Sequence, residues 1–183
     1  MAIVKHVVLI GLPGVGKTTV GRAVADRLRR AFIDLDAQIE RTFDKSISRI
    51  FEEDGEAVFR KAEAEASAAV ASMPPSVVAP GGGWVLNSGA TAHLVDSGRI
   101  IYLRVAPEAA VRRMGHGIGR RPLLADAENP YEAMRLIYEA RKSTYESCSE
   151  MTVETGGVGR SNVIARVVEL VLAAERDFGS END

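Results

Sequence analysis

The run Gly11-Leu12-Pro13-Gly14-Val15-Gly16-Lys17-Thr18 sets a lysine and a hydroxyl directly after three spaced glycines. Glycines let successive backbone N–H groups turn inward around phosphate oxygens, and a helix opening at the end of such a loop adds positive potential there. In that setting the Lys17 ammonium reaches the β- and γ-phosphates of a nucleotide, and the Thr18 hydroxyl ligates a magnesium ion carried with it. Gly14, Val15, Gly16, Lys17, Thr18 and Thr19 are thus the candidate ATP-binding residues; Lys17 is also a candidate catalytic group and Thr18 a candidate metal ligand. The flanks suit the motif. Val7-Val8-Leu9-Ile10 is a continuous β-branched run, as in a strand buried on both faces, and Val20, Ala23, Val24 and Leu28 recur at helical spacing between Lys17 and Arg30.

Two carboxylates, Asp34 and Asp36, end the next strand-like run, Ala31-Phe32-Ile33. The intervening helix travels roughly 20 Å away from the phosphate loop at about 1.5 Å per residue, and the strand brings the chain back. The carboxylates therefore flank the phosphates. One can orient a magnesium-bound water while the other takes the proton of an attacking hydroxyl; the spacing equally allows two helix-capping aspartates. Arg112, Arg113, Arg120 and Arg121 cluster in a glycine-bearing stretch, and guanidinium groups bind phosphate and carboxylate with paired donors.

The elements that must position these groups alternate between strand and helix. Helical spacing runs from Asp36 to about Phe43; Ser46 caps a helix containing Ile47, Ile50 and Phe51; and Asp54-Gly55 breaks the chain before a helix reaching Ser72. Met73-Pro74-Pro75 ends it, Ser76 to Ala79 reads as a strand, and Pro80-Gly81-Gly82-Gly83 as a loop. A helix over 88–97, a strand at Ile100-Ile101-Tyr102-Leu103 and a helix from Pro107 to Met114 follow. Asn129-Pro130 with Glu132 opens another helix, Met151-Thr152-Val153 is a last strand, and Asn162 to Phe178 a last helix, with a frayed end over Gly179 to Asp183. This predicts one domain over 1–183: a P-loop, three-layer α/β/α fold with a central, mostly parallel five-stranded sheet and its ligand site at the carboxyl ends of the strands. A helical substrate-binding excursion over about 35–63 and a mobile lid over about 113–128 complete it.

A chain of 183 residues, 46% hydrophobic and 26% charged, is ordinary for one globular domain. No apolar run approaches the roughly 20 residues of a membrane helix, and the N-terminus lacks the basic, apolar and small-residue regions of a signal peptide. A cytoplasmic protein is expected. Net charge of −2 makes no case for nucleic acid or a membrane as partner, and the lone Cys148 excludes an internal disulfide.

Six features in one order resemble the shikimate kinase family: Gly11 to Thr18; Asp34-Leu35-Asp36; Ile50-Phe51 through Gly55-Glu56-Ala57-Val58-Phe59-Arg60; Gly81-Gly82-Gly83; Arg121-Pro122-Leu123-Leu124; and Arg141 followed by Tyr145. The resemblance implies transfer of the ATP γ-phosphoryl group to the 3-hydroxyl of shikimate, with magnesium, by a monomer. It also implies that Arg60 and Arg141 bind the substrate carboxylate, that Asp36 binds ring hydroxyls and acts as base, and that Asp34 belongs to the magnesium shell. Phe51, Phe59, Pro122 and Leu123 would form apolar walls, and Gly81, Gly82 and Gly83 would let backbone approach the ring. Arg121 would be the lid arginine acting on the transferring phosphate, and Arg113 and Arg160 would contact adenine. Two positions depart from the family pattern: Ala79-Pro80 precedes the glycine triplet, and Trp84 follows it. Trp84 either reshapes the acceptor pocket or packs on the next helix. The alternatives are a kinase of another carboxylated polyol or cyclitol, a non-catalytic nucleotide-binding module and, ranked lower for want of a base pocket, a nucleoside monophosphate kinase.

Overall fold

The computed structural model describes residues 4–120, 124 and 127–180. The first strand, β1 (His6–Ile10), is buried along its whole length, as its unbroken β-branched run requires. It takes the centre of a parallel sheet, pairing with β3 (Val77–Ala79) on one side and β4 (Gly98–Arg104) on the other. The edges are β2 (Phe32–Asp34), with Asp34 opposite Ala79, and β5 (Met151–Glu154), with Arg104 opposite Glu154. Among the described residues the order is therefore β2-β3-β1-β4-β5. Strand type, parallel pairing and the number of strands agree with the sequence reading; β4 starts earlier, at Gly98, because Arg99 is buried there through an ion pair with Glu150.

Helices α1 (Lys17–Leu28), α2 (Leu35–Phe43), α3 (Ile47–Glu53), α4 (Glu56–Ala71), α5 (Ser88–Val95), α6 (Pro107–Met114), α7 (Pro130–Cys148) and α8 (Arg160–Ser180) supply the rest. Their starts follow local chemistry. Ser46 accepts from the Arg49 N–H, and Asn129 accepts from the Tyr131 and Glu132 N–H groups with Pro130 in the first turn. Two short 3-10 helices, Trp84–Leu86 and Gly115–Arg120, occupy stretches to which the sequence reading gave no helix or strand, the second within the expected lid. Such tight turns are too brief to leave a periodic signature. The last helix includes Gly179 and Ser180, where a frayed end was expected.

The main core joins β1, β3 and β4 to the covering helices through residues such as Leu9, Val78, Ile101 and Val167. The excursion formed by α2, α3 and α4 carries a small cluster of its own, Ile39, Ile50 and Phe59, with Phe51 and Phe59 ring centroids 4.8 Å apart. That separate cluster lets the excursion hold a defined surface against the strand ends without belonging to the sheet.

Candidate active site

The loop after β1 is held in shape by backbone that only glycine tolerates at Gly14: φ is +81°, and a Cβ would lie 2.4 Å from the Ala110 carbonyl oxygen. The Val15 N–H donates to the Leu12 carbonyl at 3.2 Å, closing the turn. Lys17 reaches back across it, donating from Nζ to the Gly11 and Leu12 carbonyl oxygens at 2.8 and 3.1 Å. The ammonium is thus stationed over the loop at the N-terminus of α1, where helix potential is positive.

Asp34 serves two purposes. Its Oδ1 accepts from the Ala37 N–H, capping α2, and its Oδ2 accepts from the Thr18 hydroxyl at 2.8 Å. Asp34 therefore caps α2 and, with its other oxygen, stands beside the loop that follows β1. Thr18 and Asp34 form a pair of hard oxygen donors beside the loop, which fits magnesium, an ion that takes one or two protein oxygens and keeps the remainder for phosphate and water.

Three adjoining cavities surround these groups. The first, of about 460 Å³, is lined by Gly14, Gly16, Lys17, Thr18, Thr19, Asp34 and Asp36, with Pro80 and Gly81 on its far wall. The second, of about 390 Å³, extends past Val15 and Thr19 to Arg113, Thr155 and Arg160. Arg113 stands in the wall between them, donating to the Val15 carbonyl at 3.3 Å and to the Thr155 hydroxyl at 2.9 Å. Arg160 opens α8 on the opposite side. The third, of about 260 Å³, is bounded by Phe51, Phe59 and Ile137 on its apolar side and by Asp36, Arg60 and Arg141 on its charged side. Asp36, Gly81 and Gly82 line both the first and the third cavity.

The glycine triplet after β3 is required by what it touches. A Cβ on Gly81 would lie 2.7 Å from Asp36 Oδ1, one on Gly82 2.8 Å from the Pro13 ring, and one on Gly83 3.1 Å from the Arg60 guanidinium. Three groups from three elements thus converge on one backbone turn. Arg60 donates to Glu56 at 3.1 and 3.2 Å and to Glu63 at 2.9 Å, with its guanidinium 5.3 Å from the Phe59 ring centroid. Arg141 is only 7% exposed.

Every candidate residue among the described positions falls on one of these three cavities; Arg121, Pro122 and Leu123 lie outside the described residues. Leu124, which ends that motif, is buried and lines the third cavity. The structure adds residues the sequence reading missed. Glu63 is 1% exposed, and its Oε2 accepts from Arg60 and from Asn87 Nδ2, both at 2.9 Å. Burial pushes its carboxyl above the usual range, against the pull of the Asn87 and Arg60 hydrogen bonds. The spacing Arg60-x-x-Glu63 places both on one helical face but does not tell a buried face from a solvated one.

Trp84 is fully buried in the 3-10 turn, does not line the third cavity, and donates from Nε1 to the Ser67 hydroxyl at 3.1 Å. Ser67 in turn donates to the Glu63 carbonyl, so the indole braces α4 against the glycine turn. Of its two readings, packing is therefore the right one, against α4 and within its own turn. Trp84→Phe is expected to lower unfolding stability by about 2 kcal/mol, through the cavity left and the hydrogen bond lost to Ser67. The KM for the phosphoryl acceptor should move by less than about threefold, since the side chain does not line the third cavity. Urea denaturation followed by circular dichroism, with steady-state kinetics, measures both.

The comparisons with known proteins agree with this geometry. The shikimate kinase family model matches residues 13–172. A shikimate kinase of Thermobifida fusca is 45% identical, covering 81% of this chain and 84% of its own; that of Salinispora arenicola is 42% identical, covering 91% and 97%. Among solved structures, shikimate kinase from Acinetobacter baumannii in complex with shikimate superposes with a TM-score of 0.88 at 32% identity, over 94% of this chain and 95% of that one. The ordered motifs, the three adjoining cavities and these likenesses converge on one conclusion: this chain is a member of the shikimate kinase family.

Proposed function

We propose that the three cavities divide one reaction, transfer of the γ-phosphoryl group of ATP to the 3-hydroxyl of shikimate, among the nucleotide base, its phosphates and the acceptor. One observation carries the assignment: Asp36 stands where the phosphate cavity opens into a cavity holding two arginines. An acceptor anchored by its carboxylate on Arg60 and Arg141 presents its hydroxyls toward Asp36 and the phosphate loop. The Asp36 carboxylate takes the proton as the hydroxyl oxygen forms its bond to phosphorus and the bond to the ADP oxygen breaks. Lys17 and the N–H groups of Gly14 and Gly16, in the loop that the Val15 N–H closes, hold the phosphates, and Thr19 and Arg113 extend the nucleotide site toward Arg160. Thr18 and Asp34 would hold magnesium, which when bound neutralises phosphate charge. Phe51 and Phe59, with Pro122 and Leu123, would wall the ring from water; Gly81, Gly82 and Gly83 would bring backbone to it.

On this reading residues 1–183 act as one kinase unit, with 35–63 as its acceptor-binding segment, 113–128 as the lid and Arg121 as the residue that meets transition-state charge on closure. No described helix is long and apolar enough to cross a membrane. The burial of Trp84 supports shikimate over another polyol acid, because it removes the bulk that would have altered the pocket.

The test is an ADP-release assay with shikimate present or omitted, and with magnesium present or chelated. ADP release should require both, and phosphorus NMR should place the new ester on the 3-oxygen. ADP formation independent of shikimate, or a different ester, contradicts the assignment.

A further inference from the structure

Tyr145 belongs to the motif noted in sequence, yet it lines none of the three cavities. It is fully buried on α7, one helical turn beyond Arg141. Its hydroxyl donates to the Gly82 carbonyl at 2.5 Å, and the nearby Arg141 charge draws its pKa down against the upward push of burial. The ring stacks on Tyr102 of β4, centroids 5.1 Å apart with planes 18° from parallel. One phenolic oxygen therefore ties the middle of the glycine triplet to the helix that carries the buried Arg141, and the central sheet holds the ring that bears it.

We propose that Tyr145 is a positioning residue for the acceptor: its hydroxyl ties the Gly82 turn to α7, the helix that carries Arg141, so that the substrate carboxylate and the reacting hydroxyl are placed together. Arg141 and Tyr145 stand one turn apart on α7, the glycine turn comes from the end of β3, and the Tyr145 hydroxyl on the Gly82 carbonyl joins the two elements. A buried glycine carbonyl needs a donor, and Tyr145 is available as one because burial holds its hydroxyl protonated up to about 12.

The structure also supplies a matched control. The Tyr102 hydroxyl is buried without a hydrogen-bond partner among the described residues, so Tyr102→Phe deletes an oxygen from the same ring pair without breaking the bridge. Tyr145→Phe is expected to raise shikimate KM by about tenfold, through loss of the bond that holds the Gly82 turn against α7, while ATP KM stays within about twofold. Tyr102→Phe should leave both unchanged. The proposal fails if shikimate KM in Tyr145→Phe stays within about twofold of that in Tyr102→Phe, or if the two KM values rise together.

The inference rests on Arg141 belonging to the acceptor site, and a failure of that reading is visible separately, as wild-type protein with no shikimate-dependent ADP release. Deuterium uptake over residues 80–86 of the free protein then decides the tyrosine. Faster exchange in Tyr145→Phe than in Tyr102→Phe upholds the bridge, and equal exchange overturns it.

Discussion

Asp36→Asn is expected to lower kcat by about 10²- to 10⁴-fold, the range associated with a lost general base, while ATP affinity changes little. The variant is close in size, and the size matters. Asp36 Oδ1 would be 2.7 Å from a Cβ on Gly81, so the side chain already occupies the full gap left by the glycine turn. An amide fills that gap but does not take a proton at neutral pH. Its position between the phosphate and acceptor cavities means that only the step crossing them should suffer. Steady-state kinetics on both substrates, with ATP binding measured by calorimetry, separates the possibilities. A kcat within about tenfold of wild type would reduce Asp36 to a hydrogen-bonding contact for the ring hydroxyls. A comparable loss of ATP affinity would mean instead that the substitution disturbs the phosphate loop.

Arg141→Ala is expected to raise shikimate KM by about 30-fold or more, as for truncating one partner of a buried, hydrogen-bonded charge pair, with ATP KM unaffected. Arg141 is the better of the two carboxylate arginines for this experiment. Arg60 also neutralises the buried Glu63, so its removal leaves an uncompensated carboxylate and mixes a stability loss with the binding loss. The Arg141 side chain faces the cavity with Tyr145 behind it. Equal increases in KM for ATP and shikimate would remove Arg141 from the carboxylate site. The ranking of the variants is informative as well: deletion of the arginine must cost more than deletion of the hydroxyl behind it, because Tyr145→Phe weakens the aim of the charge without removing it.

Much of the fold was legible because its signals are local. The β-branched run before Gly11 specified a buried strand, Asn129-Pro130 with Glu132 specified a helix start, and both appear as read. The short 3-10 turns were not legible, for want of period, and β4 was read too short because Arg99 carries a charge that is buried only by pairing with Glu150. In the site, the phosphate loop and Asp34 followed from residue type and spacing. Glu63 did not: it lies on α4 among Glu56, Lys61 and Glu65, where a charge reads as part of a solvated face, and only the packing against Arg60 and Asn87 shows that it points inward.

By itself the sequence determined a glycine-rich loop after the first strand that carries the lysine and hydroxyl of the phosphate site we propose, and the ordered motifs pointed to the acceptor. Tertiary structure decided how those motifs act on one another. It turned Trp84 away from the pocket, set Asp36 at the junction of two cavities, and brought the Tyr145 hydroxyl onto the Gly82 carbonyl from 63 positions away in the chain. The reason is physical. Loop chemistry, caps and periodicity act over a few residues, whereas the direction a buried side chain takes is set by close packing against partners brought in from distant parts of the chain.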